Sequence, residues 1–384
     1  MINRKRLIKL TQDLIRINSE NPPGAERPIA LFIKGYLKKL GLEVRIYEFK
    51  NRRSNIVAWL KGKGRQSLLI TPHLDTIPAG KTWKQNPFGA EITKDRIYGL
   101  GATDCKSNLA CAMEAIRSIV EERVVLSYNL IFAATADEES GSGLGLIPLL
   151  DKGILKPDTA LVLDADDFEI IITQKGLMHL KVKIKGKKAH GAYPDQGINA
   201  IDIALEVIRE IKNYRFSYRK NKFLKPPTVN LGTIKGGDKV NVVADWCEFE
   251  LDFRFLPGMK AGIILNKLKD SLKKHAKNFS RLSGIPLKAG KIEIEGIQEP
   301  YYISEKHSLV NYLKKAMRAL DIIPRVKGSE GATVITFFKK RGIPAIASGF
   351  GVAGCAHIAG EYVKINNLYK GTLVLEKFLK IYQP

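Results

Sequence analysis

Apolar residues in the first 175 positions follow two periodicities, one typical of amphipathic helices and one typical of buried strands. Leu7, Leu10, Leu14 and Ile15 recur at helical spacing, which predicts a helix near the start of the chain. Ser67–Thr71 (SLLIT) is rich in apolar residues, as expected of a strand buried on both faces of a sheet. The same reasoning predicts helices at about 28–40 and 106–122, and strands at about 42–49, 55–61, 126–134 and 159–163.

Three of these predicted strands are followed by acidic residues or a histidine. His73 and Asp75 follow the SLLIT strand, Glu138 and Glu139 follow the next apolar strand along the chain, and Asp164 follows the third. In open α/β sheets, reactive groups gather in the crevice beyond the carboxyl ends of the strands. The alternation of strands and helices therefore predicts an α/β domain with a reactive site at this edge of its sheet.

The pattern of elements changes at about position 176. Strands and helices then follow in the order β-α-β-β-α-β, which is typical of a ferredoxin-like domain. We therefore predict a catalytic domain formed by residues 1–175 and 298–384, with a second domain, residues 176–297, inserted between its two parts. The predicted segments of the insert are strands at 179–185, 228–234, 246–255 and 291–295 and helices at 198–212 and 261–277; a helix at 308–319, a strand at 344–348 and a helix at 366–382 follow.

Five polar residues have the chemistry of metal ligands. Two divalent metals about 3.5–4 Å apart need several protein ligands, one of them a bridging carboxylate, with a water between the ions. Any single Asp, Glu or His is weak support for such a site, because isolated acids are mostly surface charges and isolated histidines are mostly structural. The candidate ligands are His73, Asp104, Glu139, Asp164 and His357.

Five stretches of the chain resemble the signature of the M20 family of metallopeptidases in order and spacing. They are LLITPHLDTIPAG, IYGLGATDCKSNLA, FAATADEESGS, LVLDADD and AHIAGEYV. The resemblance covers nearly the whole chain and implies a zinc-exopeptidase-like, three-layer α/β catalytic domain with an inserted ferredoxin-like α+β lid domain that serves dimerisation. It also implies an amide-bond hydrolase, since the family includes acetylornithine deacetylase, succinyl-diaminopimelate desuccinylase, aminoacylase and carboxypeptidases.

The resemblance assigns the metal ligands position by position. His73 and Asp104 would bind one metal, with Asp104 bridging to the second, and Asp164 would complete the first site. Glu139 and His357 would complete the second site. Asp164 stands where many relatives have Glu, but either carboxylate can bind zinc. The implied cofactor is a pair of divalent metal ions, in first place zinc, with cobalt and manganese as alternatives.

Glu138, Asp75 and His190 are the expected catalytic residues. Glu138 precedes a ligand, so it can take a proton from the water between the metals and pass it to the leaving amine. Asp75 lies two residues after His73 and can accept the second imidazole N–H, which fixes the orientation of the ring. His190, in KKAHGAYP, matches a lid histidine that in the family reaches the site of a neighbouring subunit and polarises the scissile carbonyl. This match implies a homodimer formed through the lid domain.

Three further residues resemble positions that hold the substrate in the family. Asn241 lies in KVNVVAD, Arg254 in LDFRF and Gly331 in SEGATVITFF. Arg254 could bind a carboxylate through two hydrogen bonds, although a surface residue of a strand is an equally good interpretation of this position. Relatives often have Asp at the position of Val334, so this departure loosens an assignment to the desuccinylase branch and leaves the metal site untouched.

The leading functional hypothesis is a dinuclear metal-dependent deacylase of an N-acyl amino acid, in the manner of acetylornithine or acetyl-lysine deacetylases. A metallo-di- or carboxypeptidase acting on short peptides is the alternative within the same class. A third hypothesis starts from the net charge of +24, which suits a substrate tethered to an acidic carrier protein. The rival from another class is a non-catalytic binding module; retention of all five candidate ligands and Glu138 argues against it.

Composition narrows the setting of the protein. Lys and Arg are spread along the whole chain, whereas a nucleic-acid binder usually concentrates them on one face, so we do not expect nucleic acid as a partner. No stretch approaches the roughly 20 apolar residues that span a bilayer, so we expect no membrane association. Four cysteines without a CxxC pair, and an N-terminus without the apolar core of a signal peptide, favour the cytoplasm.

Overall fold

The computed structural model describes residues 1–288 and 290–384 of the chain, which fold into two compact units. In both units the apolar positions that set the predicted periodicities are buried, and the charged residues between them are mostly exposed. The first unit consists of Met1–Ile172, Ile303–Lys327 and Thr333–Pro384, and the second unit consists of Thr173–Tyr302 and Gly328–Ala332.

Helices and strands alternate through the first unit much as the periodicities predict. The helices of the chain are α1 (Arg4–Arg16), α2 (Arg27–Lys39), α3 (Lys106–Glu121), α4 (Leu146–Asp151), α5 (Ala200–Asn213), α6 (Ala261–Ser283), α7 (Ser308–Arg318), α8 (Ile335–Lys339) and α9 (Ile365–Ile381). The strands are β1 (Glu43–Glu48), β2 (Ser54–Leu60), β3 (Ser67–Thr71), β4 (Glu91–Thr93), β5 (Arg96–Tyr98), β6 (Asn129–Ala134), β7 (Thr159–Leu163), β8 (Glu169–Gln174), β9 (Gly176–Lys185), β10 (Thr228–Gly236), β11 (Trp246–Phe255), β12 (Lys291–Gln298), β13 (Tyr301–Tyr302), β14 (Arg325–Ser329), β15 (Ala345–Ser348) and β16 (Tyr362–Lys364).

A mixed sheet forms the centre of the first unit, with the strand order β1-β2-β6-β3-β7-β15-β8. Strands β6, β3, β7 and β15 run parallel, whereas β1, β2 and β8 are antiparallel to their neighbours. Every side chain of β3 and β7 is buried, and successive side chains point to opposite faces, so both faces of the sheet are covered. This layered α/β arrangement confirms the predicted fold class.

Helices α1, α3, α7 and α9 pack together within the first unit. The four apolar residues that predict α1 are all buried in it. The helix begins at Asn3, whose side chain accepts a hydrogen bond from the backbone N–H of Arg6 and so satisfies one of the free donors of the first turn. Among the described residues, no helix combines the length and the apolar character needed to cross a membrane.

The second unit contains a four-stranded antiparallel sheet in the order β10-β11-β9-β12. Buried and more exposed side chains alternate along β9 and β11, and the buried ones pack with the apolar faces of α5 and α6. This order confirms the predicted ferredoxin-like arrangement. Helix α6 continues to residue 283, six residues beyond its predicted end at 277.

The short segment 328–332, which the sequence assigned to the catalytic domain, belongs to the second unit. The contacts of Glu330 explain why this segment departs from the predicted boundary. Glu330 forms an ion pair with Lys175 at 2.6 Å and accepts a hydrogen bond from the backbone N–H of Lys225 at 2.8 Å. Because Lys175 is almost wholly buried, its charge needs this acidic partner.

Candidate metal centre

Neighbouring strand ends bring the predicted polar residues to one edge of the central sheet. His73 follows β3, Glu138 and Glu139 follow β6, and Asp164 follows β7. Strand β3 lies between β6 and β7, and the backbone of His73 forms a bridge with Thr135 just past the strand ends. This is the edge at which open α/β sheets bind their ligands.

Asp104 and His357 join this cluster from other parts of the first unit. Asp104 lies just before α3 and is joined to Cys105 by a cis peptide bond. Its Oδ1 lies 2.8 Å from His73 Nε2, and its Oδ2 lies 3.2 Å from His357 Nε2. The Nε2 atom of His357 also lies 3.1 Å from Glu139 Oε2. The carboxylate of Asp104 therefore faces both imidazoles.

The ligand atoms of these residues form two groups that could each hold a metal ion, because the atoms of each group lie within 4.8 Å of one another. The second group contains the residues that the sequence assigned to the second metal. The first group includes Glu138, which the sequence assigned as a base and not as a ligand. The groups are His73, Glu138 and Asp164, and Asp104, Glu139 and His357.

The donor set fits a pair of zinc-type ions. Imidazole nitrogen and carboxylate oxygen are ligands that zinc binds readily, and cobalt and manganese accept them as well. Cys105 also lies close to His73 and Asp104. Its Sγ accepts a hydrogen bond from the backbone N–H of His73 at 3.2 Å, and burial raises the pKa of its thiol to about 12.

The metal-free cluster contains more acid than its cations can neutralise. Burial opposes ionisation of Asp104, but hydrogen bonds from His357 and His73 outweigh it and hold the pKa of that carboxyl well below its usual range. Desolvation raises the pKa of Glu138 well above its usual value, and the Asp164 carboxylate raises it further. Desolvation and then the Asp104 charge raise the pKa of Asp164 to about 7. Binding of divalent cations would supply the missing positive charge and release protons.

Two residues of the site have left-handed backbone conformations that are uncommon outside glycine. Asp137, directly before Glu138, has a φ of 66°, and His357 has a φ of 63°. Such conformations cost on the order of 1–3 kcal/mol each and persist where surrounding contacts hold them. His357 is itself a residue of the cluster, and Asp137 directly precedes Glu138. Strained backbone is concentrated at functional sites.

Asp75 is fully buried and supports the cluster in a different way from the one expected. The sequence predicts that its carboxylate accepts the second N–H of His73. In the structure His73 Nδ1 lies 2.9 Å from the backbone carbonyl oxygen of Asp75 and 3.7 Å from the nearer carboxylate oxygen. The carboxylate instead accepts the backbone N–H groups of Glu138 and Glu139, at 3.0 and 3.1 Å. Asp75 therefore fixes the backbone of two residues of the cluster as well as the imidazole.

A buried ionic network behind Asp75 was not predicted from the sequence. Arg53 donates to Glu26 through Nε and Nη2, both at 2.8 Å, and its Nη2 also donates to Asp137 at 2.7 Å. Asn21 donates to Asp75 at 2.8 Å and lies 3.4 Å from Asp137. The network therefore holds Asp75 and the turn before Glu138. Charged residues are mostly exposed, so the sequence gives little indication of such a network. The one available signal is that Arg53 directly precedes β2, a strand rich in apolar residues.

Replacing Arg53 with Met should lower the free energy of unfolding by about 3–5 kcal/mol, because it leaves two buried carboxylates without their cation. Glu26 is 0% exposed and Asp137 is 5% exposed. Urea denaturation of the metal-free protein measures the effect. Arg45→Met is the matched control, since Arg45 pairs with Glu43 on the surface and its loss should leave the midpoint unchanged. Equal midpoints for both variants would contradict the structural role of Arg53.

The four remaining predicted residues lie in the second unit. His190 and Asn241 are neighbours there, since the backbone N–H of Gly191 donates to the carbonyl oxygen of Asn241 at 2.8 Å. Arg254 donates to Asp252 at 2.8 and 3.0 Å, so its guanidinium already has a carboxylate partner. Gly331 lies in the segment 328–332.

Comparison with known sequences shows which protein family this chain is similar to. Residues 69–381 match the profile of peptidase family M20/M25/M40. An uncharacterized metallohydrolase of Methanocaldococcus jannaschii is 30% identical over 97% of this chain and 98% of its own length. The acetylornithine deacetylase of Aliivibrio salmonicida is 32% identical over 69% of this chain and 68% of its own length.

Solved structures share the fold over the full length of the chain. An aminopeptidase, PepT, of Bacillus cereus superposes with a TM-score of 0.82 at 23% identity, covering 99% of this chain and 98% of its own. The YXEP protein of Bacillus subtilis, described as a dinuclear metal binding peptidase from the M20 family, superposes with a TM-score of 0.70 at 16% identity, covering 98% of both chains.

Proposed function

Because this chain belongs to peptidase family M20/M25/M40, we propose that it is a dinuclear metal-dependent deacylase that hydrolyses the amide bond of an N-acyl amino acid. The observation that carries the proposal is the convergence of two imidazoles and four carboxylates at the ends of β3, β6 and β7. A site of this composition, in a hydrolase of amide bonds, suits metal-assisted attack of water on a carbonyl.

Five residues would hold the two metals: His73, Asp104 and Asp164 one, and Glu139 and His357 the other, with Asp104 shared. The position of the Asp104 carboxylate between both imidazoles supports the sharing. When bound, the metals supply Lewis-acid polarisation of the amide carbonyl and lower the pKa of water. The dinuclear site of the Bacillus subtilis protein with the same fold agrees with this stoichiometry.

Glu138 would act as general base and then as general acid. Its carboxylate lies in one group with the imidazole of His73 and the carboxylate of Asp164, and its backbone N–H donates to the carboxylate of Asp75. From this position it can take a proton from the attacking water and return it to the nitrogen of the leaving amine. Desolvation raises the pKa of this carboxyl, which favours its protonated form, the form that returns a proton to the amine.

His190 would donate a hydrogen bond to the oxygen of the scissile carbonyl. Its Nδ1 accepts a hydrogen bond from the backbone N–H of Ala192 at 3.0 Å, so in the neutral ring the proton lies on Nε2. The imidazole is exposed and Nε2–H is available as a donor. We propose that it acts across a homodimer formed through the second unit, with Asn241, Gly331 and Arg254 near the substrate.

The substrate proposed is an N-acyl amino acid, and the alternative is a di- or tripeptide. The sequence identity to an acetylornithine deacetylase supports the N-acyl amino acid, and the fold shared with an aminopeptidase fits the peptide. Initial rates on N-acetyl and N-succinyl amino acids and on short peptides, with zinc or cobalt added, decide between them. A higher kcat/KM for peptides would replace the deacylase by the peptidase, and no chelator-sensitive hydrolysis of any amide would overturn both.

We also propose the reducing cytoplasm as the setting, since the four cysteines are all free.

An acidic carrier protein is a further proposal, for the partner. It rests on residues 212–225, which contain six Lys and Arg and no Asp or Glu and which are mostly exposed. If the substrate is tethered to such a carrier, kcat/KM should fall steeply as salt rises from about 50 to 500 mM. Salt screens the attraction between the basic segment and the acidic carrier, and this attraction speeds their encounter. A kcat/KM for the carrier-linked substrate that does not change with salt would exclude this partner. The control is the free acyl amino acid, which has no carrier protein attached.

A further inference from the structure

The carboxylate of Glu361, 1% exposed, lies against the loop that carries Asp104. Its Oε1 accepts the backbone N–H groups of Thr103 at 2.7 Å and Asp104 at 2.9 Å. Its Oε2 accepts the backbone N–H of Gly101 at 2.9 Å. The carbonyl oxygen of Glu361 accepts the backbone N–H of Gly99, also at 2.9 Å. One residue therefore holds the loop 99–104 at four points.

The backbone of this loop must be positioned closely, because it carries Asp104, the carboxylate that both halves of the cluster share. One of its oxygens faces His73 at 2.8 Å and the other faces His357 at 3.2 Å. A shift of its backbone changes both distances together. Thr103 strengthens the anchoring, since its hydroxyl donates to the carbonyl oxygen of Tyr362, the residue after Glu361, at 2.7 Å.

We propose that Glu361 is a positioning residue that places the Asp104 carboxylate for two metals at once. The proposal rests on the proposed function, because it assumes that the cluster binds metal. A carboxylate is needed at this position because both of its oxygens accept hydrogen bonds. In Glu361→Gln one of these oxygens becomes an NH₂ group, which cannot accept the N–H of Gly101 and leaves that buried donor unpaired.

The test is the zinc affinity of Glu361→Gln, measured by competition with a chromophoric chelator. Outer residues that hold metal ligands typically contribute 10- to 100-fold to metal affinity, so the Kd for zinc should rise by about 10- to 100-fold for both ions. A second measurement needs no metal: amide hydrogen exchange at residues 99–104 of the metal-free protein should become faster, while exchange in β3, β6 and β7 stays unchanged.

Glu114→Gln is the matched control. Glu114 is equally buried in the first unit and accepts three hydrogen bonds from Arg6 and one from the backbone of Asn3. Its replacement should lower Tm and leave the Kd for zinc as in the wild type. If Glu361→Gln fails to fold, Glu361→Asp keeps the charge and withdraws the carboxylate by one methylene, and the same weakening is expected.

Two results separate the proposal from the function on which it rests. Wild-type protein that binds two zinc ions, with Glu361 variants that bind them equally well, would overturn the positioning role alone. Wild-type protein that binds no zinc would overturn the proposed function. In that case unchanged amide exchange at residues 99–104 would overturn the anchoring as well, and faster exchange would support it.

Discussion

Replacing Glu138 with Gln should lower kcat by about 10²- to 10⁴-fold while both metal ions stay bound. General acid–base catalysis contributes a factor of this size, and an amide side chain can neither take nor return a proton. Gln is close to Glu in size, and the backbone N–H of Glu138, held by Asp75 at 3.0 Å, is unaffected. Turnover of an N-acyl amino acid, with zinc content from the same preparation, measures both parts of the prediction.

The metal content decides how Glu138 works, because its carboxylate also belongs to the group formed with His73 and Asp164. If Glu138→Gln lost one zinc ion together with its activity, Glu138 would be a ligand and the assignment of the base would be wrong. Glu169→Gln is the control. Glu169 pairs with Lys327 at the start of β8, which β7 and β15 separate from β3 in the sheet, and its replacement should change neither zinc content nor kcat.

Replacing Asp104 with Asn should weaken binding of both metals, by more than about 100-fold, since a direct ligand contributes more than the residues around it. The physical reason is its position, with one oxygen 2.8 Å from His73 and the other 3.2 Å from His357. A ligand at 100 times its Kd stabilises a folded protein by about 2.7 kcal/mol. Added zinc should therefore raise the Tm of the wild type and leave that of Asp104→Asn unchanged.

The comparison variant for this prediction is Asp164→Asn, which removes a carboxylate from one group only. It should bind one zinc ion with nearly wild-type affinity, so calorimetric titration should give a stoichiometry near one. A stoichiometry of one for Asp104→Asn as well would mean that its carboxylate is not shared between the metals. The two variants together therefore test the bridge and not merely the presence of metal.

Strand ends were the part of the site that could be read most directly from the sequence. β3 and β7 occupy the predicted residues, because a strand buried on both faces needs a short run rich in apolar residues and ends where polar residues begin. The convergence of His73, Asp164 and the Glu138–Glu139 pair follows from parallel pairing of neighbouring strands. Asp104 and His357 lie on loops, so no predicted strand end pointed to them: their residue types made them candidates, and the family resemblance assigned their positions.

Other elements lacked a local signal. β8 was missed because a single residue, Lys175, separates it from β9, so the chain gives no turn signal between the two strands. Strands β4, β5 and β16 have three residues each, too few to show an alternation. The supporting charges Arg53 and Glu361 were missed for another reason: their burial depends on partners far away in sequence, at Glu26, Asp137 and the loop before α3.

Five side chains between positions 73 and 357 are proposed to hold one pair of metal ions, with Glu138 beside them as the base. Anomalous X-ray diffraction at the zinc edge, from crystals of zinc-loaded protein, tests this arrangement most directly. Two peaks about 3.5–4 Å apart are expected, one beside His73 and Asp164 and one beside Glu139 and His357, with Asp104 next to both. A single peak, or peaks remote from Asp104, would contradict it.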